Sequence, residues 1–382
     1  MPLLSNLTFT LRANLSENLR VLITGANGFI GRNLSLRLKE LDKYQIEEFV
    51  RGDSLALLPE IIKRVDVVVH LAGENRPADP KNFDISNVEL TKAICEAIKA
   101  SGKDVPIIFT SSAQANLDNP YGNSKKLAEK LIQDLSESSV IYRLPGVFGK
   151  WCKPNYNSVV ATFCHHIANG APILINDPST ILKLNYVDDV VQEFIAAIER
   201  PQIGSRYGSV DPTYKITVGE LADQLYRFKY SRETLITERV GSGLVRALYS
   251  TYVSYLPPSV FSYRVMAHGD ERGVFVEMLK TIDAGQFSYF TALPGVTRGS
   301  HYHHTKTEKF LVIKGDAHFR FRQILTNERH EIYTSGNNPT IVETIPGWTH
   351  DITNIGDNEL IVMLWANEIF DREHPDTISS KV

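Results

Sequence analysis

The fold of the first half of the chain is decided by the stretch TGANGFIG, residues 24–31, which follows the apolar run LRVLI at 19–23. The run has the composition of a buried parallel strand, and leucines at helical spacing follow the stretch. In a strand–turn–helix unit, one glycine permits the sharp turn, a second lets backbone N–H groups approach a pyrophosphate and a third packs the helix on the strand. The stretch therefore predicts a dinucleotide site. Its expected contacts are Gly25, Asn27, Gly28, Phe29, Ile30 and Gly31.

The alternation of strand and helix patterns continues to about residue 200. Three further apolar runs, VDVVVHLAG (65–73), VPIIFTSS (105–112) and SVIYRLPGVFG (139–149), are separated by helical patterns. Such a βαβα series predicts a doubly wound, Rossmann-type parallel sheet. From about 200 to 248 the regularity weakens, and we expect short helices and a substrate subdomain there.

Dinucleotide sites discriminate between cofactors near the end of the second strand, where an acidic residue binds the ribose 2′-hydroxyl of NAD. Here that region is YQIEEFVRGD (44–53), in which Arg51 lies 20 residues after Gly31, and Arg32 follows the same glycine directly. Two guanidinium groups beside the adenosine ribose suit a 2′-phosphate, so the sequence favours NADPH. The alternative is that both arginines are solvated surface residues.

A second pattern, YGNSK at 121–125, places Tyr121 and Lys125 four residues apart and so on one face of a helix. Ser111 and Ser112 end the preceding apolar run. A lysine ammonium beside a phenol is expected to lower the pKa of the phenol, which would make tyrosine a proton donor or acceptor near neutral pH. A serine hydroxyl would hold a carbonyl oxygen while hydride arrives at the carbon.

With LAG at 71–73 and YVDDV at 186–190, these patterns resemble the extended short-chain dehydrogenase/reductases of the nucleotide-sugar branch, over residues 20–248. The resemblance implies a catalytic triad and a set of cofactor contacts. The triad is Ser112, Tyr121 and Lys125, and the further contacts are Leu71, Ala72, Tyr121 and Lys125. The family commonly has R-x-x-N where this chain has Arg143-Leu144-Pro145-Gly146, and Gly146 offers no side chain to a substrate.

Two absences narrow the reaction. The 4,6-dehydratases of this branch carry an acidic pair after the hydroxyl residue of the triad, where this chain has Ala113 and Gln114, so dehydration is disfavoured. The 4-epimerases retain NAD through the cycle, and the acidic ribose contact typical of NAD is not evident. A reductase that uses exchangeable NADPH is the remaining hypothesis.

From about residue 260 the pattern changes to short β-type runs separated by Gly, Asn, Asp and Pro, which predicts an antiparallel sandwich or barrel. Within it, G-x5-HxH-x4-E-x6-G at 295–315 resembles the metal box of the cupins. His301 and His303 lie two apart and share one face of a strand. Glu308 follows, and His350 of PGWTH supplies a third imidazole.

Three histidines and one glutamate suit Zn²⁺, Mn²⁺ or Fe²⁺, and we expect Zn²⁺. His304 is a second choice as ligand. However, DERGVFVE (270–277) and TRGSHYH (297–303) also resemble the nucleotide-sugar 3,5-epimerases of the cupin superfamily, in which the matching histidine is a general base and no metal is required. His301 therefore has two competing roles, with a buried core histidine as the third alternative.

Both halves point to a 4-keto nucleotide sugar, because a carbonyl acidifies the neighbouring C–H and is also what a reductase consumes. The pairing resembles the bifunctional capsular polysaccharide enzymes, notably in FGKWCKPNYNSVVATFC (148–164) and YSTYVSYLP (249–257). That resemblance implies C3 epimerisation of a UDP-2-acetamido-2,6-dideoxy-4-ketohexose in a cupin domain (249–382) and C4 reduction in a reductase domain (1–248), giving UDP-2-acetamido-2,6-dideoxy-L-talose. The alternative is a monofunctional reductase whose cupin is a dimerisation or sugar-binding module.

Composition limits the setting. The 382 residues are 43% hydrophobic and 22% charged with a net charge of −3, so no general basic field predicts nucleic acid or membrane partners. The three cysteines form no CxxC pair, and residues 1–18 lack the pattern of a signal peptide. We expect a cytoplasmic homodimer whose ligand is a UDP-linked 4-keto-6-deoxy N-acetylhexosamine.

Overall fold

The structure, a computed structural model, describes residues 18–75, 83–135, 138–201 and 204–382, apart from the side chains of 84–86. Residues 1–17, where the signal peptide was rejected, lie outside this part. The described chain falls into two compact units. One comprises the residues through Thr162 together with Asn176–Val218, and the other comprises Phe163–Ile175 and Gly219–Val382.

The first part of the chain alternates strands and helices as its pattern predicts. Its strands are β1 (Leu19–Thr24), β2 (Tyr44–Phe49), β3 (Val67–His70), β4 (Ile107–Ser112), β5 (Ser138–Leu144), β6 (Gly146–Phe148), β7 (Ile181–Tyr186), β8 (Gly204–Gly208) and β9 (Tyr214–Thr217). Its helices are α1 (Phe29–Glu40), α2 (Leu58–Arg64), α3 (Leu90–Ser101), α4 (Pro120–Gln133), α5 (Val159–Ala168), α6 (Val187–Glu199), α7 (Val218–Thr234) and α8 (Gly243–Val253).

Six of these strands form a parallel sheet in the order β2-β1-β3-β4-β5-β8. Helices cover both faces, since one apolar cluster includes residues of α1 and α6 and a second includes residues of α2, α3 and α4. Burial on both faces explains why the central strands are continuous apolar runs, with Val21–Ile23 fully buried. A separate three-stranded sheet has the strand order β6-β7-β9.

The second part of the chain is antiparallel. Its strands are β10 (Ile236–Thr237), β11 (Ala267–Asp270), β12 (Gly273–Thr281), β13 (Gly285–Ala292), β14 (Thr297–Tyr302), β15 (Glu308–Lys314), β16 (Asp316–Gln323), β17 (Arg329–Ser335), β18 (Ile341–Glu343), β19 (Trp348–Asn354), β20 (Leu360–Ala366) and β21 (Ile378–Ser379). They form the sheets β10-β12-β13-β20-β15-β18, with β11 on β12, and β17-β16-β19-β14-β21. The pairs are antiparallel except β10 with β12.

Alternation along the barrel strands builds one core. In β15, β16 and β20 every second residue is buried, as expected of strands with one face inward. The inward side chains of both sheets meet in a single apolar cluster that includes Phe290, Phe310, Phe319 and Phe321. The predicted fold class, a Rossmann-type sheet followed by a jelly-roll barrel, is confirmed.

Two details of the region after residue 200 differ from the sequence interpretation. The prediction of short helices there is wrong for α7, which has 17 residues. Its buried stripe is narrow, with Leu221, Ala222, Leu225 and Phe228 as the buried residues, so the apolar periodicity is weak. The compact units also divide at Val218, whereas the sequence placed residues 200–248 with the reductase; the boundary at 248 stays a prediction.

No helix in the described ranges is long and apolar enough to cross a bilayer.

The barrel core yields a stability prediction. Phe319 is 1% exposed, whereas Leu325, in the turn after β16, is 85% exposed. Phe319→Ala should lower the free energy of unfolding of the barrel by about 3–5 kcal/mol, because it removes a buried ring and leaves a cavity. Leu325→Ala should change it by less than about 0.5 kcal/mol. A urea titration monitored by hydrogen–deuterium exchange of the barrel strands measures the free energy of unfolding of each variant. Equal losses of stability in the two variants would contradict the assigned core.

Candidate functional site

The glycine turn between β1 and α1 is built as the sequence predicts. Gly25 has a φ of +71°, and a Cβ there would lie 2.8 Å from the backbone of Ala72, so only glycine lets the turn approach the end of β3. A Cβ on Gly31 would lie 2.3 Å from the carbonyl oxygen of Gly25, so the third glycine packs the helix on the turn. Gly28 precedes α1 without a capping side chain, and no acidic residue stands in the first helical turn. The first N–H groups of the helix therefore remain available to an anion.

At the end of β2, where dinucleotide sites discriminate between NAD and NADP, the carboxylates of the strand are already ion-paired. Glu47 pairs with Arg64 at 2.9 Å and Glu48 pairs with Lys39 at 3.0 Å. Arg51 follows the strand with its side chain 84% exposed, 3.5 Å from Glu74. Arg32, in the first turn of α1, is exposed as well. The adenosine end of the expected site thus offers guanidinium groups and no acidic ribose contact among these residues.

The structure brings the three predicted triad residues together. Asn119 caps α4 by accepting a hydrogen bond from Gly122 N at 2.8 Å, which sets the first turn carrying Tyr121. Ser112, at the end of β4, forms a hydrogen bond with Tyr121. Lys125, one turn further, is buried and donates from Nζ to the carbonyl of Thr110 at 2.9 Å.

The electrostatics of the triad differ from the sequence expectation in one respect. The prediction that Lys125 lowers the pKa of Tyr121 is not met, because burial raises the pKa of Tyr121 and the hydrogen bond from Ser112 only partly offsets this. Burial also lowers the pKa of Lys125 to about 8. At neutral pH the phenol therefore carries its proton, as a proton donor must.

The sequence alone did not separate the roles of Ser111 and Ser112. In the structure their hydroxyl groups have different partners. The hydroxyl of Ser111 donates to Glu129, which is 2% exposed. Glu129 also accepts two hydrogen bonds from Arg143, at 2.9 and 2.6 Å, and one from Tyr207 at 3.0 Å. Arg143, the residue of the family's R-x-x-N stretch, is therefore tied to Glu129, with its side chain 28% exposed. Sequence analysis missed Glu129, although it lies one turn beyond Lys125 on the same helical face and the spacing could have indicated it.

Asn87 was also missed. Its amide nitrogen donates to Ser124 Oγ at 3.0 Å and to the carbonyl of Glu74 at 3.1 Å, and its oxygen accepts from Glu74 N at 2.9 Å. The residue lies in a π-helical turn, Asp84–Glu89, directly before α3. It fixes the loop after β3, which contains Leu71 and Ala72, against α4. Nothing in its local sequence indicates this long-range role.

In the barrel, the four predicted metal ligands converge. One ligand atom from each of His301, His303, Glu308 and His350 lies within 4.8 Å of the others. His301 of β14 is opposite His350 of β19 in the sheet register, and Glu308 begins β15. Glu308 Oε2 is 3.3 Å from His303 Nε2 and 3.4 Å from His350 Nε2. His304, the second choice as ligand, is exposed and stands outside this group.

The donor set fits a divalent cation. His301 Nε2 and both ring nitrogens of His350 are buried without a hydrogen-bond partner, which is costly unless something else satisfies them. Burial lowers the pKa of His301 to about 4, so the ring is neutral and able to coordinate. Burial acts to raise the pKa of Glu308, but the neighbouring His303 and His350 rings and the Lys306 ammonium hold it well below its usual value. The group thus combines neutral imidazoles with one carboxylate.

A cavity of about 150 Å³ opens beside the cluster. Its lining includes His301, Glu308, His350 and the cationic side chain of Arg298. Arg298 Nε donates to the carbonyl of Thr291 at 3.0 Å, its guanidinium lies over the ring of Phe290, and its Nη2 is 3.9 Å from Asp270. Asp270 and Arg272 of the DERGVFVE stretch instead pair with each other at the hairpin turn between β11 and β12.

Sequence profiles assign both parts. The NAD dependent epimerase/dehydratase family matches residues 21–216, and the polysaccharide biosynthesis C-terminal domain matches residues 268–378. Over 368 residues the chain is 56% identical to the UDP-2-acetamido-2,6-beta-L-arabino-hexul-4-ose reductase of Pseudomonas aeruginosa, covering 95% of this chain and 99% of that protein. The chain belongs to this family of capsular polysaccharide enzymes.

Solved structures agree with this membership. The capsular polysaccharide assembling protein CapF from Staphylococcus aureus matches with a TM-score of 0.87 and 43% identity, over 95% of this chain and all of that one (100%). The UDP-glucuronic acid 4-epimerase from Bacillus cereus matches at 18% identity and a TM-score of 0.53, over 62% of this chain and 98% of its own, and so supports the fold of the first part alone. Membership in the capsular polysaccharide family confirms the predicted fusion of a dehydrogenase/reductase-type domain, with its nicotinamide cofactor class, to a cupin. The homodimer and the cytoplasmic location stay predictions.

The triad yields a second prediction. Tyr121→Phe should lower the turnover of ketone reduction by about 10²–10⁴-fold, the usual contribution of a positioned proton donor, while cofactor binding persists. Tyr333→Phe, at a tyrosine 64% exposed on β17, is the matched control. Single-turnover absorbance at 340 nm measures the reduction, and cofactor fluorescence measures binding. Unchanged turnover in Tyr121→Phe would place the proton donor elsewhere.

Proposed function

We propose that this capsular polysaccharide enzyme is bifunctional. Its barrel epimerises C3 of a UDP-2-acetamido-2,6-dideoxy-4-ketohexose, and its reductase part then reduces the C4 ketone with NADPH, giving UDP-2-acetamido-2,6-dideoxy-L-talose on the route to N-acetyl-L-fucosamine. The observation that carries the reductase half is the placement of Ser112 against the Tyr121 phenol, with buried Lys125 one turn along the same helix, at the edge of the sheet that also holds the glycine turn. The Pseudomonas aeruginosa relative is a reductase of a 4-keto UDP sugar, which supports the substrate class.

In the reduction, bound NADPH would supply the hydride for C4 of the sugar. Ser112 holds the ketone oxygen, and Tyr121 donates its phenolic proton to that oxygen as negative charge develops there. Lys125 remains a cation below pH 8 and places a positive charge one helical turn from Tyr121. Ala113 and Gln114 supply no acid or base for loss of water, so the ketone is reduced without dehydration.

In the epimerisation, His301, His303, Glu308 and His350 would hold a divalent metal, for which Zn²⁺ suits the nitrogen-rich donor set. The metal would supply Lewis-acid polarisation of the C4 carbonyl, which acidifies the C3 proton. Arg298 provides a fixed positive charge at the cavity for the anionic substrate. Epimerisation has to precede reduction, because reduction removes the ketone on which C–H acidity depends.

The choice of NADPH generates the third prediction. Replacing both Arg32 and Arg51 by Ala should raise the KM for NADPH on the order of 10²- to 10⁴-fold, since each hydrogen bond to a charged phosphate contributes about 1.5–3 kcal/mol and two such contacts are removed. The KM for NADH should change little. Arg37→Ala, on the same helix as Arg32 but paired with Glu40, is the control. Equal increases for the two cofactors would refute the 2′-phosphate contact.

The fourth prediction separates the two activities in the full-length chain. A Tyr121→Phe protein without NADPH should exchange the C3 proton of the 4-keto sugar for deuterium in D₂O, as followed by proton NMR. Adding His301→Ala should abolish the exchange, whether His301 is a ligand or a base. Absence of exchange in the Tyr121→Phe parent, together with full product formation by wild-type protein from an already epimerised ketone, would favour the alternative of a binding or dimerisation module.

His350→Ala distinguishes the two roles of His301. We expect loss of the metal and of the exchange together, with the barrel still folded by circular dichroism. Retained exchange without metal would assign His301 as a metal-independent base. His374→Ala, whose side chain is 84% exposed, is the matched histidine control and should leave metal content and exchange unchanged.

A further inference from the structure

The segment 376–380 runs beside the clustered ligand side chains. Its short strand β21 pairs with β14, with Ser379 opposite His301. The hydroxyl of Thr349, the neighbour of His350, donates to a carbonyl of this segment 2.7 Å away. The segment therefore pairs with the backbone of His301 in β14 and accepts a hydrogen bond from the residue before His350 in β19.

Asp376 makes a denser set of contacts through its carboxylate. The oxygens accept three successive backbone N–H groups of residues 304–306, at 2.8, 2.7 and 2.9 Å, and the hydroxyl of Thr305 at 3.0 Å. These residues form the turn that separates β14 from Glu308. Lys306, at the end of that turn, is buried and lies with Nζ 3.3 Å from Glu308 Oε1. The carboxylate of Asp376 therefore fixes the turn. Through Lys306 it also positions Oε1 of Glu308.

The backbone of Asp376 acts on a ligand directly. His303 Nδ1 is 2.5 Å from the carbonyl oxygen of Asp376. A carbonyl can only accept, so the Nδ1 of His303 carries the proton. The lone pair of the ring is then on Nε2, the atom that faces Glu308 at 3.3 Å. A histidine ligand oriented by a carbonyl behind it keeps one tautomer and one ring direction.

We propose that Asp376 is a positioning residue of the metal centre. Its carbonyl selects the tautomer of His303, and its carboxylate holds the turn that places Lys306 and Glu308. The inference rests on the proposed metal site, and it adds a residue that lies 26 positions after His350, the ligand nearest to it in the sequence. Asp376 acts through the ligands and contacts neither the cavity nor the substrate.

The test measures Zn²⁺ affinity in the full-length protein, by competition with a chromophoric chelator after metal removal. Asp376→Asn preserves shape but turns an amide NH₂ toward N–H and O–H donors, so the turn loses its clamp. We expect the affinity to fall about 10- to 100-fold, the usual effect of removing a partner behind a metal ligand. Asp371→Asn, at an exposed carboxylate that precedes the segment 376–380 and accepts a hydrogen bond from Glu373 N, should bind Zn²⁺ as tightly as wild type.

The outcomes separate this inference from the function proposed above. Wild-type protein that binds no Zn²⁺ would remove the metal centre and this inference with it. Wild-type binding together with unchanged affinity in Asp376→Asn would overturn this inference alone. The melting temperature of the metal-free variant distinguishes positioning from general stability, because a positioning role lowers affinity at a temperature where metal-free Asp376→Asn is still folded.

A measurement on wild-type protein keeps the inference testable if the variant does not fold. Two-bond ¹H–¹⁵N correlation spectra of the Zn²⁺-loaded protein report the tautomer of each histidine. We expect His303 to carry its proton on Nδ1 and to bind the metal through Nε2. The opposite tautomer would show that the carbonyl of Asp376 does not orient this ligand, and it would overturn the inference.

Discussion

A neutral histidine inside the parallel sheet holds together the elements on which the cofactor turn depends. His70, at the end of β3, is hydrogen-bonded through Nδ1 to Thr24 of β1 at 2.7 Å and through Nε2 to Thr91 of α3 at 2.9 Å. Burial lowers its pKa to about 3, so the ring carries no charge that would have to be compensated. Thr24 in turn accepts a hydrogen bond from Ala72 N at 3.2 Å. The end of β1, where the glycine turn starts, is thereby fixed to the end of β3, and a charged ring here would separate the strands.

Two buried carboxylates show how the same chemical group serves different ends. Glu129 is surrounded by a guanidinium and two hydroxyl groups, which satisfy both of its oxygens. A buried charge paired in this way is stable but unreactive, and it anchors the strand end that carries Ser112. Glu308 lies between His303, whose Nδ1 is bonded to the carbonyl of Asp376, and His350, whose Nδ1 has no partner, with Lys306 on one side only. Incomplete satisfaction, rather than burial or charge, distinguishes the centre that can accept a ligand from the one that only supports structure.

The parts of the site that the sequence predicted are those with short spacing. The glycine turn, the Tyr121–Lys125 pair and the HxH stretch each lie within one turn, helix or strand, so residue spacing alone determines their geometry. Asn87 and Asp376 act over long separations, and only the fold reveals their partners. The direction of the pKa shift of Tyr121 was mispredicted for a related reason, since burial depends on the packing of the whole helix rather than on its nearest cation.

The two compact units are discontinuous in the sequence, and this limits how recombination can exchange them. The chain passes between the compact units at three places, after Thr162, Ile175 and Val218. A cut of the chain after any of these residues leaves at least one fragment that contains residues of both units. A cut after Val218, for example, would leave α5 with the parallel sheet, although residues 163–175 belong with the barrel unit. Recombination at one crossover point therefore cannot exchange one unit without a segment of the other.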